Sequence, residues 1–270
     1  GIYLGCVGSS PDITERKRVE EALRDADRRK SEFLAVLSHE LRNPLSVIAN
    51  SLAILERVEP GADSARRAQA VIGRQVGHLS RLVDDLLDTT RMSRDKIQLQ
   101  CERIELNELV RRCVEDHASL FNAQGVELQM RGASTSVVVF GDRTRLAQVI
   151  GNLLQNSVKF TPAHGRTTVL VEADRALGKG LVRVEDNGSG IAPDFVGRLF
   201  EPFMQADATL DRSRGGLGLG LALVKGLVEL HGGDVRAESA GLGHGAQFVV
   251  RIPLSKEDSA SAGPGEGSTP

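Results

Sequence analysis

Seven apolar residues, Leu34, Leu37, Leu41, Leu45, Ile48, Leu52 and Leu55, recur at spacings of three and four, and no other feature constrains the chain as much. That period is the seam of a coiled-coil or bundle helix, and helical character extends from about Thr14 to Arg57. The stretch EPGADS, Glu59 to Ser64, then supplies a proline, a glycine and a capping residue. A second helix follows, with Ile72, Leu79, Leu82, Val83, Leu86 and Leu87 on its apolar side. Two helices joined by a short loop make an antiparallel hairpin. A lone hairpin buries one side of each helix. A second copy completing a dimeric four-helix bundle is the economical solution, and packing on the chain's own downstream domain is the alternative.

After about Lys96 the period changes. Helical stretches, Glu105 to Gln124 and Arg143 to Phe160, alternate with the strand-like runs VELQM, SVVVF, TTVLVEA, LVRVED and AQFVVRIPL. This predicts an α/β (α+β) sandwich with helices on one sheet face, preceded by the all-α hairpin. With 270 residues, 40% of them hydrophobic, the chain can bury a sizeable core. A formal net charge of -2 gives no reason to expect nucleic acid as a partner. Three cysteines, Cys6, Cys101 and Cys113, are odd in number, far apart and in no C-x-x-C spacing, so neither a disulfide framework nor a zinc site is indicated, which fits a reducing, cytoplasmic setting. No run reaches the roughly 18 apolar residues that a membrane helix needs, so this segment is expected to make no direct membrane contact. The chain opens on Gly1 and a short apolar piece, which reads as part of something longer, with room for a membrane anchor upstream. Residues 256–270, rich in Ser, Gly and Pro, read as a flexible tail.

Within the first helix, SHELRNPL places a histidine, a glutamate, an asparagine and a proline within two turns. At about 100° per residue, His39 lies about 200° from Leu37 and faces solvent. A solvated helix histidine is ordinarily just surface. Here Glu40 can accept a proton from one ring nitrogen and sharpen the other, and Asn43 lies one turn on over the same face. Pro44 removes a backbone donor and is expected to bend the helix nearby. An exposed, base-assisted nucleophile beside a flexible point suits a residue visited by another domain.

In RLAQVIGNLLQNSVKFT, the residues Leu146, Val149, Ile150, Leu153 and Leu154 cluster on one side, and Asn152, Asn156 and Lys159 on the other. Neutral amide oxygens and a cation in one stripe suit a hydrated metal ion carrying phosphates, although many polar helix faces are only solvated. In VEDNGSGI a strand ends at Asp186, and Gly188 and Gly190 allow close backbone approach to a ligand. A buried carboxylate there can accept a hydrogen bond from an exocyclic amine, yet D-x-G-x-G alone is often just a turn. The glycines Gly215, Gly216, Gly218 and Gly220 stand directly before an apolar helix, whose free N–H groups can cradle phosphate. The run follows a loop and lacks a Gly-Lys-Ser/Thr, so it fits neither a Rossmann turn nor a P-loop. Between the two motifs, MQADATLDRSR is long and polar, fit for a lid.

Taken in order, SHELRNPL, NLLQNSVKFT, DNGSGI, LFEPF and GGLGLGL resemble the sensor histidine kinases of two-component signalling over roughly residues 20 to 254. The resemblance implies that His39 is the phosphoacceptor, Glu40 its acid/base partner and Asn43 the residue that orients water when the partner is dephosphorylated. It makes Asn156 the Mg²⁺ ligand, places Asn152 and Lys159 at the phosphates of ATP, and has Asp186 recognise adenine with Gly188 and Gly190. Phe200 and Phe203 would flank the lid, and Gly216, Gly218 and Gly220 would line the phosphate end. It further implies a homodimer and a response-regulator receiver domain as partner. The stretch PDITERKRVEEAL resembles the exit of a PAS sensor domain, with Asp12, Ile13 and Thr14 ending its last strand. The expected domains are then residues 1–20, the PAS end and linker; 21–95, the dimerisation and phosphotransfer hairpin; 96–255, the catalytic ATP-binding domain; and 256–270, the tail.

One departure concerns the last strand, where many relatives carry a small hydroxyl residue and a threonine before the phenylalanine and this chain reads Ala246, Gln247, Phe248. Water-mediated adenine contacts are expected to be missing or replaced by the Gln247 amide, with weaker nucleotide binding. Two further readings are an ATP-hydrolysing machine on the same nucleotide fold and a dimeric relay without catalysis. The first would need a carboxylate base where Asn152 stands, and intact His39, Asn156 and Asp186 speak against the second.

Overall fold

The computed structural model describes residues 14–59, 62–92, 97–204 and 217–255. Packing divides the chain between Leu79 and Ser80. Helix α1, Thr14–Leu55, runs without interruption through Pro44, and α2, Asp63–Met92, completes the helical hairpin. Thr14 opens α1, so it does not end a strand, and Asp12 and Ile13 lie outside the described residues. Small side chains let the hairpin close: Ser51, Ala65 and Ala68 are buried, and Pro44 is buried with them. The leucine seam is only partly covered. Leu37, Leu41, Ile48 and Leu55 are half-buried, whereas Leu34, Leu45 and Leu52 remain 50%, 54% and 48% exposed. On α2, Val83 and Leu87 are also exposed.

The second unit is a three-helix layer on one face of a mixed sheet. Strands β1, Glu102–Glu105, and β3, Val138–Gly141, pair antiparallel as a separate two-stranded sheet. The main sheet has the order β2-β4-β5-β7-β6, from β2, Glu127–Arg131; β4, Arg166–Asp174; β5, Lys179–Asp186; β6, Asp234–Glu238; and β7, Ala246–Pro253. Only β2 and β4 run parallel. Helices α3, Leu106–Gln124, α4, Arg143–Phe160, and α6, Gly220–Leu230, form the layer, and the short α5, Pro193–Val196, follows β5. Along β5 the residues Gly180, Val182, Val184 and Asp186 are buried, while Arg183 and Glu185 face outward. That alternation shows a sheet covered on one side. Relative to the sequence expectation, β1 and β6 are additions, and SVVVF pairs outside the main sheet.

Sequence chemistry fixes where the helices start. Glu105 caps α3 by accepting from Glu108 N at 2.7 Å, and Gly125, at φ 66°, ends it. Asp142 caps α4, accepting from Thr144 N and Arg145 N at 3.0 and 3.1 Å, and also from Gln100 N at 3.0 Å. Burial pushes the Asp142 carboxyl up, but these backbone donors outweigh it and hold it below the usual carboxylate range. His231, buried at the end of α6, ties the two helices together. Its Nδ1 donates to Leu227 O at 2.7 Å, which leaves Nε2 to accept from Asp142 N at 2.9 Å.

The last turns of α2 belong to this second unit. Asp88 is 6% exposed, and its Oδ2 accepts from Arg145 Nη1 at 2.6 Å and from Gln148 Nε2 at 2.9 Å, both on α4. Met92 fits over Gly226 of α6, where any Cβ would collide with its Cε.

Candidate active site

Each unit holds one cluster of the residues singled out from sequence. In the hairpin, His39 lies on the solvent side of α1 with its side chain 63% exposed. Its Nδ1 is 3.9 Å from Glu40 Oε1 and 3.3 Å from Asn43 Nδ2. These neighbours make opposite demands, because a carboxylate accepts and an amide nitrogen donates. With Asn43 donating to Nδ1, the ring proton sits on Nε2. With Nδ1–H turned to Glu40, the lone pair sits on Nε2, outermost and free to attack.

In the second unit, Asp186 ends β5 and is 8% exposed. Its Oδ1 accepts from Gly188 N at 2.9 Å, leaving the carboxylate with unused acceptor capacity. Burial raises its pKa, the N–H groups of Gly188 and Ala246 oppose that, and Glu185 adds to it. Gly188 and Gly190 are required sterically: a Cβ on Gly188 would meet the Phe160 carbonyl, and one on Gly190, at φ 69°, would meet the Gly241 carbonyl. Ser189 N donates to Phe160 O at 3.0 Å, so the loop after β5 is pinned to the end of α4.

Asn152, Asn156 and Lys159 are half-buried along α4, and Lys159 Nζ lies 4.9 Å from the Phe160 ring centroid. A Cβ on Gly220 would come 3.4 Å from Asn152 Oδ1, which brings the polar stripe of α4 to the start of α6. Among the described residues no side chain caps that start, which leaves its first N–H groups able to meet an anion. Gly218, at φ 67°, accepts from Phe203 N at 3.0 Å, and Phe200 packs on the core. Gly215, Gly216 and most of the segment expected to be a lid lie outside the described residues.

Ala246 pairs with Asp186 and shares its face, while Gln247 pairs with Glu185 on the other face. Its Nε2 donates to Glu238 Oε2 at 3.2 Å and its Oε1 accepts from Arg183 Nη1 at 3.4 Å, so the amide is engaged with neighbouring strands. Thr167, fully buried and paired with Asp186 on the opposite side, has its hydroxyl 2.6 Å from that of Ser157. Sequence reading passed over Thr167 because it looks like any β-branched strand residue.

A metal held wholly by protein side chains is not what these residues build. Among the described residues there is no cluster of three or more His, Cys, Asp or Glu that could hold one. A neutral amide oxygen at the edge of a phosphate site instead fits magnesium, which keeps several waters and takes most of its other ligands from phosphates. Among the described residues no helix is long and apolar enough to cross a membrane.

Comparison with known proteins finds a family model for the region around each cluster. Residues 29–95 match the family model for the His Kinase A (phospho-acceptor) domain, and residues 141–256 that for the histidine kinase-, DNA gyrase B- and HSP90-like ATPase. The autoinducer 2 sensor kinase/phosphatase LuxQ of Vibrio cholerae is 35% identical over 94% of this chain and 30% of its own length. The sensor protein DivL of Caulobacter vibrioides is 34% identical over 92% of this chain and 32% of its own length. The chain thus spans about a third of these relatives. Among solved structures, full-length ShkA in complex with AMPPNP is 33% identical, with a TM-score of 0.62 over 83% of this chain and 46% of that one. An imidazole-bearing helical hairpin followed by an ATP-binding α/β domain, with relatives that extend over nearly the whole chain, places it in the family of sensor histidine kinases.

Proposed function

We propose that this chain is a kinase core that transfers the γ-phosphoryl group of Mg-ATP to His39 and passes it to an aspartate on a response-regulator receiver domain. The observation that carries the reading is His39 itself: an exposed imidazole with a carboxylate beside one ring nitrogen, in the same chain as an ATP-binding domain. Glu40 holds the proton on Nδ1, so the Nε2 lone pair attacks phosphorus. Asp186 accepts from the exocyclic amine of adenine, and the uncapped start of α6 with Lys159 takes up phosphate charge. Asn156 would hold Mg²⁺ through its amide oxygen, with Asn152 beside it. When bound, Mg²⁺ would neutralise phosphate charge. Catalysis by the chain is then mainly positioning.

Helix α4 contains no acidic residue, so no carboxylate stands on its polar stripe to activate water, and this favours transfer over simple ATP hydrolysis. In the reverse direction Asn43 would orient water toward the receiver's phosphoaspartate, a role in keeping with LuxQ, whose name joins kinase and phosphatase. The uncovered leucine seam supports a homodimer in which a second hairpin completes a four-helix bundle. We assign residues 21–95 to that hairpin, 96–255 to the catalytic domain and residues 1–20 to the end of a PAS-like sensor. Incubation with Mg²⁺ and labelled ATP should give an acid-labile, alkali-stable phosphoprotein, and His39→Gln should give none. Acid-labile label on the His39→Gln protein would overturn the assignment.

A further inference from the structure

Two loops meet beside Asp186: residues 187–191 after β5, and residues 239–245 between β6 and β7. One hydroxyl stitches them together. Ser239 Oγ accepts from Ile191 N at 3.0 Å and from Gly241 N at 3.2 Å, and it lies 2.6 Å from Gly245 O, to which it donates; Gly241 O is farther away at 3.2 Å. A serine hydroxyl has one proton and two lone pairs, so its whole hydrogen-bonding capacity goes into backbone groups of the two loops. Two more bonds run alongside, Gly243 N to Ser189 O at 2.7 Å and Gly245 N to Gly188 O at 3.1 Å. The approach is so close that a Cβ on Gly190 would strike the Gly241 carbonyl, and one on Gly245 the Asp186 carbonyl. Gly188 in turn donates to the Asp186 carboxylate, so the separation of the loops sets where that carboxylate points.

We propose that Ser239 is a positioning residue for the nucleotide site, holding the two loops at the distance that keeps Asp186 and its glycine turn aligned for adenine. The inference rests on the nucleotide reading given above and adds a residue from a different hairpin to it. The Ser239 hydroxyl is spent on the backbone groups of the two loops. Its effect passes through Ile191 N–H, the turn at Gly188 and the Asp186 side chain, so it belongs to ground-state binding and not to the transfer step.

The experiment measures Mg-ATP affinity by calorimetry and autophosphorylation kinetics in the full chain. Ser239→Ala should weaken Mg-ATP binding and raise KM by about tenfold or more while kcat stays within about twofold, because the three backbone groups served by its hydroxyl lose their partner together. Ser239→Thr, which keeps the oxygen, should restore affinity to within about threefold. Gly190→Ala, which forces the loops apart with the hydroxyl intact, should reproduce the Ser239→Ala loss. A Ser239→Ala protein with unchanged Mg-ATP affinity would overturn the inference, as would a fall in melting temperature with no change in KM, since Ser239 would then be structural only. Failure of the unsubstituted chain to bind Mg-ATP would instead remove the nucleotide reading on which the inference depends.

Discussion

Nδ1 of His39 cannot satisfy Asn43 and Glu40 at once, because one donates to it and the other accepts from it. Removing the amide should therefore leave Nδ1–H to Glu40 and the lone pair on Nε2. Asn43→Ala is expected to keep autophosphorylation within a few-fold of the parent and to lose phosphatase activity, read by parallel assays of labelled kinase and labelled regulator. Asp186 offers a second test at this scale. Its pKa is raised, mainly by burial, and only the ionised carboxylate accepts fully from the adenine amine. Nucleotide affinity should accordingly fall on acidification at a higher pH than an ordinary aspartate would produce, and remain flat above it. Asp186→Asn should weaken Mg-ATP binding by about 10- to 100-fold, the worth of one charge-assisted hydrogen bond, and should remove that acid limb from a calorimetric titration.

At the scale of elements, α4 could be read from its sequence because three signals agree: Asp142 as cap, an apolar face of period 3.6, and polar residues collected on the far side. Both its ends fall where the sequence put them. Strands β1 and β6 could not be read, since ERIE and DVRAE are short, carry three charged residues each and sit at sheet edges, where pairing rather than hydrophobicity makes the strand. Likewise, no local pattern distinguishes Ser239 from any turn serine, or relates Asp88 to Arg145 across 57 positions. Near that ion pair, burial, reinforced by Asp88 and Asp84 and opposed by Arg81, pushes the Asp85 carboxyl up to about 6 from 3.8. The folded state then binds the proton more tightly than the unfolded one, so stability should rise as pH falls from about 6 to about 4 through this group. Asp85→Asn should raise the melting temperature near neutral pH and flatten that dependence, while Asp88→Asn should lower stability by roughly 1.5–3 kcal/mol by weakening bonds to a charged partner. Thermal melts of the three proteins across the pH range test both.

For the whole molecule, the exposed leucines Leu34, Leu45 and Leu52 ask for a partner that the described residues of one chain do not supply. Mixed dimers then decide the direction of transfer. His39→Gln lacks the acceptor and Asn156→Asp has an altered nucleotide site, so neither homodimer should label itself. If one chain phosphorylates the other, label should return on the Asn156→Asp chain of the mixture, and if transfer is within a chain it should not. The seating of Met92 on Gly226 and of Asp88 on Arg145 bears on how the protein can be cut apart. By packing, the second unit begins inside α2, at Ser80, ahead of the functional boundary near residue 96. A stand-alone fragment starting at Lys96 would bare the slot on α6 and strand Arg145, whereas one starting at Ser80 would carry its own plug. The longer fragment should melt several degrees higher and stay in solution at concentrations where the shorter one aggregates.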